Sequence, residues 1–280
     1  MASVSVIIPT LSDADPRVLQ VLQSQTLPPC EIEVVRGIRP NGRARNVGVS
    51  RTSGEILVFL DDDARPFQPR LIEKLTAPLL SEPEIGATGA SRLIPPDSSA
   101  FQRWSANQVA RIENQVVQSP VISRPAPENH FYCAITTTCC ALRRTLFDEM
   151  GGFDEKLIQG VDTEFFVRMG RAGYAAMLVP DLWVYHAAPP GLRALLQKHF
   201  RYGLGHAQAV LRDPLRARPF EKRPLLYLLL RSAALVPHAF LGFSYAESGW
   251  HPGFKPLKAL VSYAAALGYV WGRFRTKAAQ

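Results

Sequence analysis

The run Ile56-Leu57-Val58-Phe59-Leu60 passes without a break into Asp61-Asp62-Asp63. A continuous apolar run of this length reads as a strand buried on both faces, as in a parallel sheet covered by helices. Such strands deliver their C-terminal ends to the ligand crevice of an open α/β sheet. Three adjacent carboxylates repel one another, and folding does not need them there. A hard divalent cation would neutralise them, because such ions prefer carboxylate oxygens. The pattern predicts a cation at a strand end, facing a phosphate-bearing molecule. A solvated acidic turn is the plain alternative.

The flanking sequence predicts the rest of such a sheet. Val4–Pro9 is an apolar, β-branched run, Pro16–Ser24 is helical in pattern, and Glu31–Val35 reads as a second strand. Arg43–Arg51 reads as a short helix ended by Gly54, Glu55–Leu60 as the third strand, Pro69–Leu80 as a helix and Ile85–Ala90 as a fourth strand. This alternation implies a parallel, doubly wound sheet. After Asp97 the pattern predicts a long helix over Phe101–Val117, a loop with three prolines over 118–129, a strand over Phe131–Leu142 and a helix over Arg143–Met150. Thr163–Ala172 is an amphipathic helix with Phe165, Phe166, Met169 and Ala172 on one face and Gly173 just past its end. Met177–Val179 and Leu182–Tyr185 read as short strands, and everything from Pro190 onward as helix. The expected division is an α/β catalytic domain over 1–189 and a basic, amphipathic helical region over 190–280.

Five stretches in order carry a resemblance to a known family. They are Val4-Ser5-Val6-Ile7-Ile8-Pro9-Thr10, Gly42-Arg43-Ala44-Arg45-Asn46-Val47-Gly48, Asp61-Asp62-Asp63, Gly151-Gly152-Phe153-Asp154-Glu155 and Gly160-Val161-Asp162-Thr163-Glu164. Together they resemble the inverting glycosyltransferases of family 2 over roughly residues 3–186. The resemblance implies an α/β, GT-A nucleotide-diphospho-sugar transferase fold, Rossmann-like with a mostly parallel central sheet. It implies that Pro9 and Thr10 end the first strand where the nucleotide base sits. Arg45, Asn46, Asp61 and Asp62 become donor contacts, and an Arg beside a helix N-terminus suits a diphosphate. Asp61 and Asp63 become ligands of Mn²⁺ or Mg²⁺, an ion that bridges the two phosphates. Asp162 becomes the general base that deprotonates the acceptor hydroxyl, with Glu164 as second candidate; inversion needs one carboxylate within reach of the nucleophile, opposite the leaving group. Asp162 also suits a helix N-cap. Asp154 falls on the acceptor side, or organises the turn there.

Further positions extend or depart from the pattern. His186 follows the last strand, where some relatives complete the metal site with His. Gln197 and Arg201 lie one helical turn apart and share a face, resembling a stretch of processive members whose Arg reaches the diphosphate. An amphipathic connecting helix is the plain reading. Val161 stands where many members have Glu, Cys139 where Asn is frequent, and Arg36-Gly37-Ile38-Arg39-Pro40 replaces an acidic base-reading loop.

The charge is unevenly spread. Residues 186–280 hold 14 Lys and Arg against three Asp and Glu, a net of +11, whereas the rest of the chain nets −3. The apolar content of that basic region points to an anionic membrane surface rather than nucleic acid. Pro224–Tyr245 approaches a bilayer span in length, but Arg231, Pro237 and His238 interrupt it; Leu257–Trp271 repeats the theme. Two interfacial helices or a shallow hairpin on the cytoplasmic face of the membrane are expected, with packing on the catalytic domain or an oligomer contact as alternatives. Cys30, Cys133, Cys139 and Cys140 form neither a metal pattern nor a disulfide framework, which suits a reducing compartment, and no secretory signal is evident at the N-terminus. The expected activity is sugar transfer from a nucleoside-diphosphate sugar to a lipid-linked or polysaccharide hydroxyl. A nucleotidyltransferase would need a Gly-rich basic loop after the first strand, where this chain has Leu11-Ser12-Asp13-Ala14-Asp15. A non-catalytic nucleotide-sugar-binding protein is the other alternative.

Overall fold

The computed structural model describes residues 2–16, 18–65, 68–109, 111–124, 133–246 and 249–277. The chain divides into two compact units. The first comprises Met1–Pro95, Glu113–Lys156 and Val161–Ala187; the second comprises Pro96–Ile112, Leu157–Gly160 and Ala188–Gln280. In chain order the elements are β1 (Val4–Thr10), α1 (Val18–Gln23), β2 (Glu31–Arg36), α2 (Asn41–Ser50), β3 (Ile56–Leu60), α3 (Leu71–Ser81) and β4 (Ile85–Leu93). Then come α4 (Ala100–Gln108), β5 (Val121–Ser123), β6 (Cys139–Arg143), α5 (Arg144–Glu149), α6 (Val161–Arg171) and β7 (Ala175–Tyr185). The chain continues with α7 (Leu192–Arg212), α8 (Pro224–Ala233), α9 (Leu235–Phe240), β8 (Gly242–Ala246), β9 (Gly249–Gly253) and α10 (Pro256–Lys277).

The first unit is built on one seven-stranded sheet in the order β2-β1-β3-β6-β4-β7-β5. β1 runs parallel to β2 and β3, and β4 parallel to β7. β6 is wedged antiparallel between β3 and β4, and β5 is antiparallel to β7. The sheet is mostly parallel among its first strands, as the alternation of strand and helix predicts. Every residue of β1 and β3 is buried, which is why both read as unbroken apolar runs. On one face Val6, Ile8, Val58 and Leu60 pack with Leu22, Leu71 and Leu75. On the other, Phe59 meets Phe153 and Phe147 with ring centroids 5.1 and 5.9 Å apart. Helix α2 lies directly on β1, because a Cβ at Gly48 would collide with the Ile7 side chain. That close approach sets the height of Arg45 and Asn46 over the sheet.

Several elements differ from expectation. The long helix over 101–117 ends at Gln108, and a separate 3₁₀ turn spans Ile112–Asn114. Glu113 turns inward there, 1% exposed, and pairs with Arg92 at 2.9 Å. The strand expected over 131–142 is confined to Cys139–Arg143; its first two residues lie outside the described ones, and Thr137 and Thr138 form a turn. The two short strands at 177–185 are one strand, β7, irregular around Asp181, whose φ is +49°.

The second unit is not helical throughout, since β8 and β9 form an antiparallel hairpin. Its centre is the close crossing of α7 and α10, where a Cβ at Gly203 would strike the Ala265 carbonyl and one at Gly268 the Phe200 carbonyl. α10 buries Leu257, Val261, Ala266 and Tyr269, so the second apolar tail segment is a core helix of this unit. Among the described residues no helix is long and apolar enough to cross a membrane. Glu221, 4% exposed, closes the unit: its carboxylate lies 3.1 Å from His206 Nε2 and accepts the Arg218 backbone N–H at 2.9 Å, while its carbonyl accepts from Tyr269 Oη at 2.9 Å. Burial pushes the Glu221 carboxyl up, but the bonds from His206 and Arg218 outweigh it, so it titrates below its ordinary range. Its contribution to stability is therefore present above the unfolded value of about 4.3 and is lost as pH falls through the lower folded value. Glu221→Gln is expected to lower Tm at neutral pH and to flatten the loss of Tm between roughly pH 5 and pH 3. Parallel Tm curves for the two chains would disprove the assignment.

Candidate active site

Asp61, Asp62 and Asp63 leave the C-terminal end of β3 at the level where β1 also ends. Two backbone anchors aim them. Asp61 N–H donates to the Thr138 carbonyl in the turn before β6, at 3.1 Å. Arg65, just after the triplet, forms a two-bond bridge with Tyr185 at the end of β7, at 2.8 and 3.1 Å. His186 N–H in turn donates to the Leu93 carbonyl at 2.9 Å. These pairings bring His186 Nε2 to 3.5 Å from Asp63 Oδ1, although 123 positions separate them. One ligand atom from each of Asp61, Asp63 and His186 lies within 4.8 Å of the others. Two carboxylates and an imidazole at that spacing fit a divalent cation of the manganese or magnesium type. The Asp63 carboxyl is held above its ordinary range, first by desolvation and then by repulsion from Asp61 and Asp62, against an opposing pull from His186. Its side chain is 60% exposed, so like-charge repulsion is the firmer of these causes.

Arg45 and Thr10 sit beneath this cluster. Arg45 is 3% exposed and donates from Nη2 to Asp61 Oδ1 at 2.7 Å. Its charge orients a carboxylate of the cluster. Thr10 is 4% exposed, and its hydroxyl donates to Asp62 Oδ2 at 2.5 Å while accepting the Ser12 N–H. Pro9 is buried within β1, paired in register with Val35 of β2. Arg36, the first residue of the stretch that replaces an acidic base-reading loop, holds the segment after β1 through the Ser12 and Ala14 carbonyls and Asp15.

Asn46 has a role the sequence does not announce. Its amide donates to the Phe153 carbonyl at 2.9 Å and to Glu155 Oε1 at 3.0 Å, and its Oδ1 accepts the Phe153 N–H at 2.9 Å. The loop it grips turns through Gly151 and Gly152, both in the left-handed region, with φ +70° and +72°. Glu164 is engaged as well: Arg168 takes both its oxygens at 2.7 and 2.8 Å and donates to the Met150 and Gly152 carbonyls. Arg168 was not singled out from the sequence, because no local pattern pairs it with this loop, and neither was the bond between Asn46 and Glu155, 109 positions apart. Asn46→Ala is expected to destabilise the fold by about 1–3 kcal/mol, since it strands the Phe153 N–H and carbonyl. A melt unchanged from wild type would overturn this.

Asp162 stands in the first turn of α6 and accepts the Thr163 N–H at 2.8 Å through Oδ1, the one hydrogen bond of its side chain among the described residues. It is half-buried. The first turns of α2 and α6 are in contact: a Cβ at Gly42 would meet Val161 Cγ1 at 3.0 Å and the Asp154 carbonyl at 2.7 Å. Burial raises the Cys139 thiol, and Asp61 adds to the effect. The Cys140 thiol is raised by burial and Cys139, opposed by Arg45 and raised again by Asp162. The start of β6 thus lies within electrostatic reach of both the metal-type cluster and Asp162. Asp154 Oδ1 accepts the Lys156 N–H at 2.8 Å and so organises the turn. Arg201 is exposed on α7 in the second unit, with Gln197 one turn before it, also exposed.

Known proteins resemble this chain in sequence and in fold. The family described as glycosyltransferase-like family 2 matches residues 1–205. The O-antigen biosynthesis protein RfbC of Myxococcus xanthus is 25% identical over 170 residues, which are 58% of this chain but 13% of that protein. Glycosyltransferase AglE of Haloferax volcanii is 25% identical over 246 residues, covering 77% of this chain and 76% of AglE. Among solved structures, mannosyltransferase PcManGT from Pyrobaculum calidifontis, in complex with GDP-Man and Mn²⁺, superposes with a TM-score of 0.57 at 18% identity, covering 99% of this chain and 88% of its own. That likeness establishes a shared GT-A fold. With the family match spanning the whole sheet and the acidic crevice, the chain belongs to glycosyltransferase family 2 and is a glycosyltransferase.

Proposed function

We propose that the protein transfers a sugar, with inversion, from a nucleoside-diphosphate donor to a hydroxyl of a lipid-linked or polysaccharide acceptor at the cytoplasmic face of the membrane. The observation that carries this is the convergence of Asp61, Asp63 and His186 within 4.8 Å at the sheet's open end. Those three would hold a divalent cation, which supplies charge neutralisation to the departing diphosphate. Mn²⁺ suits the mixed set better than Mg²⁺, because imidazole is a poor partner for the harder ion. Arg45 keeps Asp61 turned toward the crevice. Asp162 accepts the proton of the acceptor hydroxyl as its oxygen bonds to the anomeric carbon and the bond to the diphosphate breaks on the opposite side. Glu164, held bidentately by Arg168, supports the loop instead. RfbC, named for O-antigen biosynthesis, and the GDP-Man complex of PcManGT support a glycan acceptor and a nucleotide-sugar donor as classes.

The test is thermal shift with UDP-, GDP-, dTDP- and CMP-sugars, each with Mn²⁺ and with EDTA. A Tm rise for one donor in Mn²⁺, absent in EDTA, is expected, since a bound ligand stabilises the folded state by mass action. No shift with any donor in Mn²⁺ would defeat the proposal.

A further inference from the structure

The second unit leaves an apolar ridge uncovered. Leu225, Leu229 and Ala233 on α8, Pro237 on α9 and Leu241 just past its end follow one another at four-residue spacing, and all five are exposed. Three of them, Leu225, Leu229 and Leu241, are 64–67% exposed. Beside this row Phe240 and Phe254, 63% and 60% exposed, lean on each other with ring centroids 5.2 Å apart. Single exposed leucines are ordinary on a protein surface; a continuous row is not. The polar stripe of the same helices points the other way: Tyr227 is 6% exposed and Arg231 lies 5.3 Å over its ring. An amphipathic helix has thus turned its aromatic-polar side into the unit and its leucines out.

Cations crowd one border of this ridge. Lys255 is held by Asn107 through Nζ at 3.2 and 3.3 Å, and its N–H donates to the Ala239 carbonyl of α9. The crowding is felt by the groups themselves. His238 titrates below its ordinary range because of burial, then Arg231 and Lys258. Lys258 is lowered by burial, then by Lys255 and Arg111. Repelling cations beside an apolar strip match a layer of lipid phosphates above acyl chains.

We propose that the α8–α9 ridge docks on an anionic phospholipid bilayer, leucines and phenylalanines in the interfacial layer and the flanking Lys and Arg on lipid phosphates. This deepens the membrane-face reading above and does not depend on sugar transfer. A free phosphate would not need the leucines. A second copy of the chain would bring two such faces together, each from a region of net charge +11, and like charges oppose that pairing.

The experiment is co-sedimentation of the full chain with phosphatidylcholine vesicles, with and without phosphatidylglycerol, read without donor or acceptor. Its failure is therefore separable from failure of the transferase reading. Binding to the anionic vesicles about tenfold stronger than to neutral ones, and weakened by salt, is expected. Leu225→Ser/Leu229→Ser should cut that binding about tenfold with Tm unchanged, and Lys255→Ser/Lys258→Ser should reduce the anionic preference. Leu241→Ser alone serves if the double leucine variant melts early. No sedimentation with anionic vesicles, or wild-type binding by the folded leucine variants, overturns the proposal. So does a dimer in sedimentation velocity that the leucine variants dissolve, which would assign the ridge to a second copy.

Discussion

The Asp162→Asn enzyme is expected to transfer sugar about 10²- to 10⁴-fold more slowly, the range over which a positioned general base accelerates reactions. Donor affinity should stay within about threefold of wild type, because a base acts on the acceptor proton in the transition state and not on the bound donor. The geometry motivates the pairing of these two readouts. Asp162 is half-buried at the start of α6 and held by one backbone N–H, so its carboxylate is oriented yet accessible. Glu164, two positions on, is gripped by Arg168, and Glu164→Gln should act on stability first. Single-turnover rates with donor binding by calorimetry would separate the cases. Turnover of Asp162→Asn within tenfold of wild type would remove it as the base, and Glu164 would become the candidate to examine.

Asp63→Asn should weaken Mn²⁺-dependent donor binding by at least about 100-fold, since even an outer-shell partner of a metal ligand is worth about 10- to 100-fold. The variant keeps the shape of the side chain and removes the charge that repels Asp61 and Asp62. Metal-free protein should therefore melt no lower than wild type, while its stabilisation by donor plus Mn²⁺ disappears. Treating wild-type protein with EDTA should reproduce the loss, and added Mn²⁺ should reverse it. Equal donor binding in Mn²⁺ and in EDTA would exclude the Asp61, Asp63 and His186 cluster as the donor's metal site.

Both expectations rest on residues that the sequence already singled out, but their surroundings were legible to different degrees. Asp61 to Asp63 stood out because β3 is buried on both faces and its end is abruptly charged. Asp162 stood out through the resemblance and its place before an amphipathic helix. Asn46 and Glu164 carried the same marks, yet the structure occupies them with the loop at 150–155, through partners up to 109 positions away. Arg45 was expected as a donor contact; that it is 3% exposed and donates to Asp61 could not be read from the sequence.

The order of strand and helix in the first ninety residues, the buried strands and the acidic strand end were written in local pattern, because burial on both faces and helical periodicity each leave a short-range signature. The insertion of β6 between β3 and β4, the break at Glu113 and the meeting of Asp63 with His186 were decided by tertiary pairing, because each depends on backbone or charge partners 21 to 123 positions distant. The tail shows the same division. Its amphipathic content was readable, but which side of α8 packs inward was set by Tyr227, buried beside Tyr269 of α10 with ring centroids 5.6 Å apart, and that contact exists only once the second unit has folded.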